Sequence, residues 1–157
     1  MKQLFFRSLV FLSLIGTFHG CAKDTDKDNE KPVIVMDGNN AFPKPCDTIA
    51  RGESFAFNAV FSDNIELGNY NIEIHQNFDH HTHGSHVETC ESDPAKEPVN
   101  PFYFNESYSI PSGSTHFNAI IEIQVPGDID TGDYHFMVKL TDREGWQSWQ
   151  SVSVKVE

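Results

Sequence analysis

The sequence contains few basic residues, few cysteines and, after residue 18, no long apolar run. Lysine and arginine total 11 against 23 aspartates and glutamates, so the formal net charge is −12. Such an acidic chain repels a phosphate backbone, and nucleic acid is therefore not an expected partner. The length of 157 residues, with 38% apolar residues, fits a single folded domain rather than a disordered or membrane-spanning protein.

The first 20 residues differ in kind from the rest of the chain. Lys2 and Arg7 precede an apolar run at residues 9–18, and this order is typical of an export signal. The run is shorter than the roughly 20 apolar residues that a membrane-spanning helix needs. We therefore interpret residues 1–20 as a signal peptide that is removed during export.

The residues around Cys21 predict a lipid anchor. Cys21 follows the sequence "TFHG", which resembles a bacterial lipobox, although His19 replaces the small residue usual at its position. Residues 21–32 are polar and charged, so they cannot bury much apolar surface. This composition predicts a flexible acidic tether. The alternative is cleavage near this position without lipidation, which would leave Cys21 as a free thiol.

The two other cysteines, Cys46 and Cys90, lie in the exported part of the chain. Because an oxidising compartment permits disulfides, we expect these two residues to pair. A loop of this length would stabilise the fold by about 4 kcal/mol if chain entropy alone is considered. The alternative is that both thiolates join nearby histidines in a zinc site.

The chain after Pro32 alternates between apolar and polar residues, as half-buried β-strands do, and shows no convincing helical period. Strands are predicted at residues 33–36, 53–61, 69–75, 116–125, 133–140 and 151–156, with one edge strand at 102–104. About seven short strands without a repeat predict an all-β, immunoglobulin-like β-sandwich over residues 33–157. The sandwich would carry one long histidine-rich loop.

Two turns refine this fold. The sequence "DIDTGDY" places Asp130, Gly132 and Tyr134 in the tyrosine-corner pattern of immunoglobulin-like domains, where the phenol binds nearby backbone. The alternative is a tight turn followed by an ordinary core tyrosine. Gly145 is expected to adopt a positive φ in the last hairpin.

Histidine is concentrated between residues 75 and 86, and this concentration predicts a metal centre. If the strands 69–75 and 133–140 are antiparallel neighbours, His75 and His135 meet on the outer face of one sheet, where the histidine-rich loop begins. Zinc, copper and nickel ions favour imidazole and carboxylate ligands. The predicted ligands are His75, His80, His81, His83, His86, His135 and Asp79.

Some of these assignments carry alternatives. Asp79 could bind the ion directly, or it could accept a hydrogen bond from a ligand imidazole and fix its tautomer. His116 is excluded because its strand begins at the opposite pole of the predicted sandwich. The alternative for the whole cluster is a polar surface loop in which the histidines are incidental.

The sequence also resembles a known family. The segment "GNYNIEIHQNFDHHTHGSH" followed by "TC", together with the C-terminal "YHFMVKLTDREGWQS", resembles uncharacterised lipoproteins of Bacteroidota that are grouped as a domain of unknown function. The DHHxH run is the most specific part of the resemblance. It implies a small immunoglobulin-like domain on an outer-membrane lipid anchor, facing the periplasm or the exterior, and implies no activity.

Three classes of function are compatible with these features. The first is a lipid-anchored extracytoplasmic protein that captures or buffers zinc or a similar divalent ion, beside an outer-membrane transporter. The second is an adhesion or glycan-binding module that uses Trp146 and Trp149. The third is a metallohydrolase with Glu73 or Glu88 as its base. The sequence contains no G-x-S-x-G, H-E-x-x-H or phosphate-loop motif that favours an enzyme.

Overall fold

The computed structural model describes residues 27–82 and 90–157. These residues form eight β-strands: β1 (Val33–Val35), β2 (Thr48–Ile49), β3 (Ser54–Ser62), β4 (Leu67–Gln76), β5 (Phe104–Ser109), β6 (His116–Gln124), β7 (Gly132–Asp142) and β8 (Gln147–Val156). In the described part of the chain, no helix is long and apolar enough to cross a membrane.

Several predicted features lie outside the described residues. They are the signal peptide, the first part of the tether with Cys21, and three residues of the histidine-rich loop, His83, His86 and Glu88.

The strands form two sheets. A three-stranded sheet has the order β1-β3-β6, and a five-stranded sheet has the order β2-β8-β7-β4-β5. All neighbouring strands are antiparallel except β2 and β8, which pair in parallel. This order corresponds to strands A-B-E and A′-G-F-C-C′ of an immunoglobulin-like sandwich, which confirms the predicted fold. The sequence did not predict β2, because alternation cannot be recognised in two residues.

The predicted inward faces form the core. Tyr70, Ile72 and Ile74 of β4 are buried, and so are the alternate residues Tyr134, Phe136, Val138 and Leu140 of β7. Across the two sheets, the ring of Phe57 stacks on that of Phe136 with 5.4 Å between centroids. Since removing this apolar surface from water drives folding, the core fixes which face of β4 and β7 points outward.

The tyrosine corner is present. The Tyr134 hydroxyl donates to the carbonyl of Asp130 at 2.8 Å and accepts from the amide of Phe102 at 3.1 Å. Gly132 has φ +122, and a Cβ there would lie 3.2 Å from the ring of Phe78. The corner therefore holds the start of β7 against the chain that follows the histidine-rich loop.

Cys46 and Cys90 form the predicted disulfide, with 5.4 Å between their Cα atoms. This bond excludes the alternative in which both cysteines are thiolate ligands. The amide of Cys46 donates to the carbonyl of Ser153 in β8 at 2.8 Å. The disulfide thus attaches the far end of the histidine-rich loop to the edge of the five-stranded sheet.

Candidate metal centre

His75 and His135 are direct cross-strand partners in the β4–β7 pair. Their neighbours Ile74 and Phe136 point into the core, so the two histidines project from the outer face of the sheet. Their ring centroids lie 5.6 Å apart. The sequence predicted this juxtaposition, which follows from the period of two in each strand.

A turn after β4 brings a third imidazole to the pair. The Asn77 amide donates to the Asp133 carbonyl at 2.8 Å, and the ring of Phe78 is buried in the core. His80 then adopts φ +58, which turns the chain back over β7. As a result, the carbonyl of His81 accepts a hydrogen bond from Nε2 of His135 at 3.0 Å.

The three rings form a compact group. The centroid of His81 is 5.5 Å from that of His75 and 5.1 Å from that of His135. Imidazoles that bind one tetrahedral ion at 2.0–2.1 Å have centroids about 5 Å apart. His135 is only 6% exposed because the chain at His81 covers it. The centre is therefore partly shielded from water.

The Nε2 atoms of His75 and His81 are 3.3 Å apart. Nδ1 of His81 donates to Oδ1 of Asp79 at 2.5 Å. Oε1 of Glu73 lies 3.0 Å from Nδ1 of His75, at ion-pair distance but not aligned for a linear hydrogen bond. A carboxylate beside Nδ1 favours the tautomer with its proton there, which leaves the lone pair on Nε2.

This tautomer places two lone pairs opposite each other. Two nitrogen atoms bound to one tetrahedral ion at 2.0–2.1 Å are about 3.3–3.4 Å apart, which matches the separation of the Nε2 atoms. The hydrogen bond from Nε2 of His135 to a carbonyl leaves the lone pair of that ring, in its neutral form, on Nδ1. Among the described residues, the ring nitrogens of the three histidines do not all lie within 4.8 Å of one another. The hydrogen bond from His81 also lowers the pKa of the Asp79 carboxyl.

Two other predicted ligands, His80 and Asp79, have partners of their own in the structure. Nε2 of His80 contacts the carbonyl of Asp93 at 2.9 Å and lies 3.9 Å from a carboxylate oxygen of Asp133. Asp79 accepts a hydrogen bond from the imidazole of His81, which matches the alternative role predicted for it. His116 pairs with Ser62 in the other sheet, consistent with its exclusion. His83 and His86 lie outside the described residues.

Sequence reasoning missed the position of Glu73, which it considered only as a catalytic base. The signal for its contact with His75 was present, because residues two apart on a strand project from the same face. The candidate site therefore contains three imidazoles and two carboxylates among the described residues.

The chain beyond Cys90 is held against the same end of the sheet. Nζ of Lys155 contacts Oδ1 of Asp93 at 2.5 Å and Oδ1 of Asp133 at 3.5 Å. The hydrogen bond to Asp93 is the main reason that the pKa of Lys155 is raised. The amide of Asp93 also donates to Oδ2 of Asp133 at 2.8 Å. Both flanks of the histidine-rich loop are thus fixed to the five-stranded sheet.

The chain is similar to two solved structures at low sequence identity. Among solved structures, the chain is similar to the GspB Siglec domain, with 17% identity and a TM-score of 0.44, over 83% of this chain and 59% of that one. It is also similar to Spo0M, a sporulation control protein from Bacillus subtilis, with 12% identity and a TM-score of 0.40, over 81% of this chain and 49% of that one. The chain therefore spans about half the length of these proteins.

No curated protein sequence matches the chain. A family described as a domain of unknown function, DUF4625, matches residues 19–157. This match includes the strands, both cysteines of the disulfide and all the histidines of the candidate metal centre. The protein therefore belongs to the DUF4625 family.

Proposed function

We propose that this protein is a lipid-anchored extracytoplasmic metal-binding protein that captures or buffers zinc or a similar divalent ion. Its main support is the pair of Nε2 atoms of His75 and His81, which face each other at 3.3 Å with a carboxylate behind each ring. Two imidazole lone pairs at this distance repel each other unless a proton or a cation lies between them. A zinc ion with nitrogen ligands fits this separation.

The donor atoms favour a borderline transition metal over a hard cation. Imidazole suits zinc, copper and nickel, whereas calcium and magnesium prefer sites made of oxygen. His135, His83 and His86 remain the predicted sources of the further ligands. Thiolates from Cys46 and Cys90 are not available, because these residues form a disulfide.

The two carboxylates would act as orienting groups. A ligand imidazole that donates its second N–H to a carboxylate keeps one tautomer and becomes a more basic ligand. Glu73 already lies beside His75, so it is poorly placed to deprotonate a metal-bound water. This arrangement favours binding over hydrolysis, and we therefore place capture or buffering above a metallohydrolase.

The location forms part of the same proposal. The Cys46–Cys90 disulfide suits an exported protein, since disulfides persist in oxidising compartments. Lipidation at Cys21 would attach the domain to the outer membrane, on the periplasmic or the outer surface. There it could receive zinc from, or deliver zinc to, an outer-membrane transporter.

Calorimetric titration of the purified exported protein with zinc tests the proposal. We expect one tight site, and the double variant His75→Ala/His81→Ala should lose more than about 100-fold in affinity. His116→Ala is the matched control, because His116 is an exposed histidine on the other sheet. Equal affinity of the double variant and the control would refute the metal centre and favour a shared proton between the two rings.

A second candidate is an adhesion or glycan-binding surface. Trp149 is 75% exposed on the outer face of β8, where it pairs with Lys139 of β7. Trp146 is 42% exposed, and its Nε1 donates to the carbonyl of Asp28. A broad exposed indole beside polar groups can stack on a sugar ring. Loss of glycan binding in Trp149→Ala, with zinc binding unchanged, would favour this candidate.

A further inference from the structure

Three aspartates form a second group at the end of the sandwich opposite the histidines. Asp63 follows β3, Asp142 ends β7, and Asp28 belongs to the segment before β1. They are 8%, 4% and 6% exposed, respectively. One potential ligand atom from each lies within 4.8 Å of the others. Three carboxylates are thus buried together, which is costly unless their charges are compensated.

Backbone amides satisfy one oxygen of each carboxylate. Each Oδ1 atom accepts hydrogen bonds at 2.6–3.1 Å from nearby backbone amides. The donor is Glu30 for Asp28, Ile65 and Glu66 for Asp63, and Gly145 and Trp146 for Asp142. These bonds close local turns and hold each side chain in one orientation.

The second oxygen of each carboxylate is buried without a hydrogen-bond partner among the described residues. In the described ranges, no ion pair involves Asp28, Asp63 or Asp142. Burial is the main cause that raises the pKa of Asp142, and the charges of Asp63 and Asp28 raise it further. Each aspartate thus has one buried oxygen without a partner, and one carboxylate oxygen of each lies within 4.8 Å of the others. This unusual arrangement would be explained by a bound cation.

We propose that Asp28, Asp63 and Asp142 bind a hard divalent cation, with Ca²⁺ as the best match. Calcium prefers oxygen ligands at 2.3–2.6 Å, so two oxygens on opposite sides of one ion are at most about 5 Å apart. The observed limit of 4.8 Å fits this geometry. The absence of nitrogen and sulfur from the group distinguishes it from the histidine centre.

The three ligands come from segments far apart in the sequence. Asp28 lies within the segment that was predicted to be a flexible tether, whereas Asp63 and Asp142 belong to the sandwich. The carbonyl of Asp28 also accepts a hydrogen bond from the Trp146 indole at 3.3 Å. Calcium would therefore clamp the N-terminal segment to the end of the domain. It would also fix the direction in which the chain leaves toward its anchor, a consequence that rests on the proposed anchor.

Thermal unfolding of the exported protein, purified with its N-terminal segment intact, tests the calcium site. With zinc absent throughout, the melting temperature is compared in EDTA and in excess Ca²⁺. A saturating ion that binds only the folded state should raise it by about 5–10 °C. No shift in the wild-type protein would overturn the proposal.

The variants Asp63→Asn and Asp142→Asn sharpen this test. Each keeps an Oδ1 acceptor for the turn amides and removes one charge, so it should fold and melt in EDTA at or above the wild-type temperature. Each should also lose most of the calcium-dependent shift. Asp37→Asn, at an exposed aspartate, is the matched control and should keep the full shift.

The outcome is independent of the histidine centre. His75→Ala/His81→Ala should retain the full calcium-dependent shift, because these residues lie at the other end of β4. If both asparagine variants keep the same shift as Asp37→Asn, calcium binds elsewhere and the proposal is wrong. Two folded asparagine variants without the shift would support it.

Discussion

Removal of the carboxylate behind His81 should weaken zinc binding without weakening the fold. Asp79 is the acceptor for Nδ1 of His81, and the short distance of 2.5 Å indicates a charge-assisted hydrogen bond. The Asp79 side chain is 71% exposed, so truncation removes little packing. Partners of this kind are worth about 10–100-fold in metal affinity. We expect Asp79→Ala to fall within that range.

A graded pair of variants identifies the physical cause. Asp79→Asn keeps an oxygen that can accept the hydrogen bond but removes the charge, so its loss of affinity should be smaller than that of Asp79→Ala. Calorimetric titration with zinc at neutral pH measures both losses, and unfolding in urea without metal should show similar stabilities. Asp37→Asn serves again as the control for the loss of an exposed charge. If Asp79→Ala binds zinc with wild-type affinity, His81 does not depend on this carboxylate and the reasoning fails.

Two further predictions concern pH. Imidazoles must lose their protons to bind zinc, and their ordinary pKa is about 6.5. Zinc affinity should therefore fall by more than tenfold per pH unit between about pH 6 and 5. An affinity that does not change with pH in this range would show that carboxylates, and not imidazoles, bind the zinc. Burial raises the pKa of Tyr70 to about 12, with Tyr108 stacked on it at 5.1 Å. Since the unfolded chain loses the phenol proton first, stability should fall as pH rises from 10 toward 12, by up to about 1.4 kcal/mol per unit from Tyr70. Denaturant unfolding of Tyr70→Phe should show a shallower slope, and an unchanged slope would contradict this assignment.

The features that follow from the alternation of residues along each strand and from the pairing of strands could be predicted from the sequence. Alternation placed Ile74 and Phe136 inside and hence His75 and His135 outside, and their cross-strand pairing then followed from the order of strands in the fold. The disulfide could be predicted from two cysteines that follow a predicted export signal. Such features depend on local patterns, which a single sequence displays.

The parts that depend on turn geometry and long-range burial could not be predicted. His80 and His81 are adjacent and chemically identical, and the positive φ of His80 directs their rings to different partners. The polar composition around Asp28 indicated a tether. Composition cannot show that Asp28 packs beside Asp63 and Asp142, which are distant in the sequence. The aspartate group therefore appears only when three distant segments are folded together.

The direct pairing of His75 with His135 ties the candidate metal centre to the alignment of β4 with β7. A slip of one residue between these strands would turn His75 into the sandwich and expose Ile74, so errors in alignment would damage the core and the ligands at once. An insertion after Gln76, by contrast, would leave every pair of the two strands intact. The loop can therefore vary in sequence and length while the core keeps positions 75 and 135 side by side.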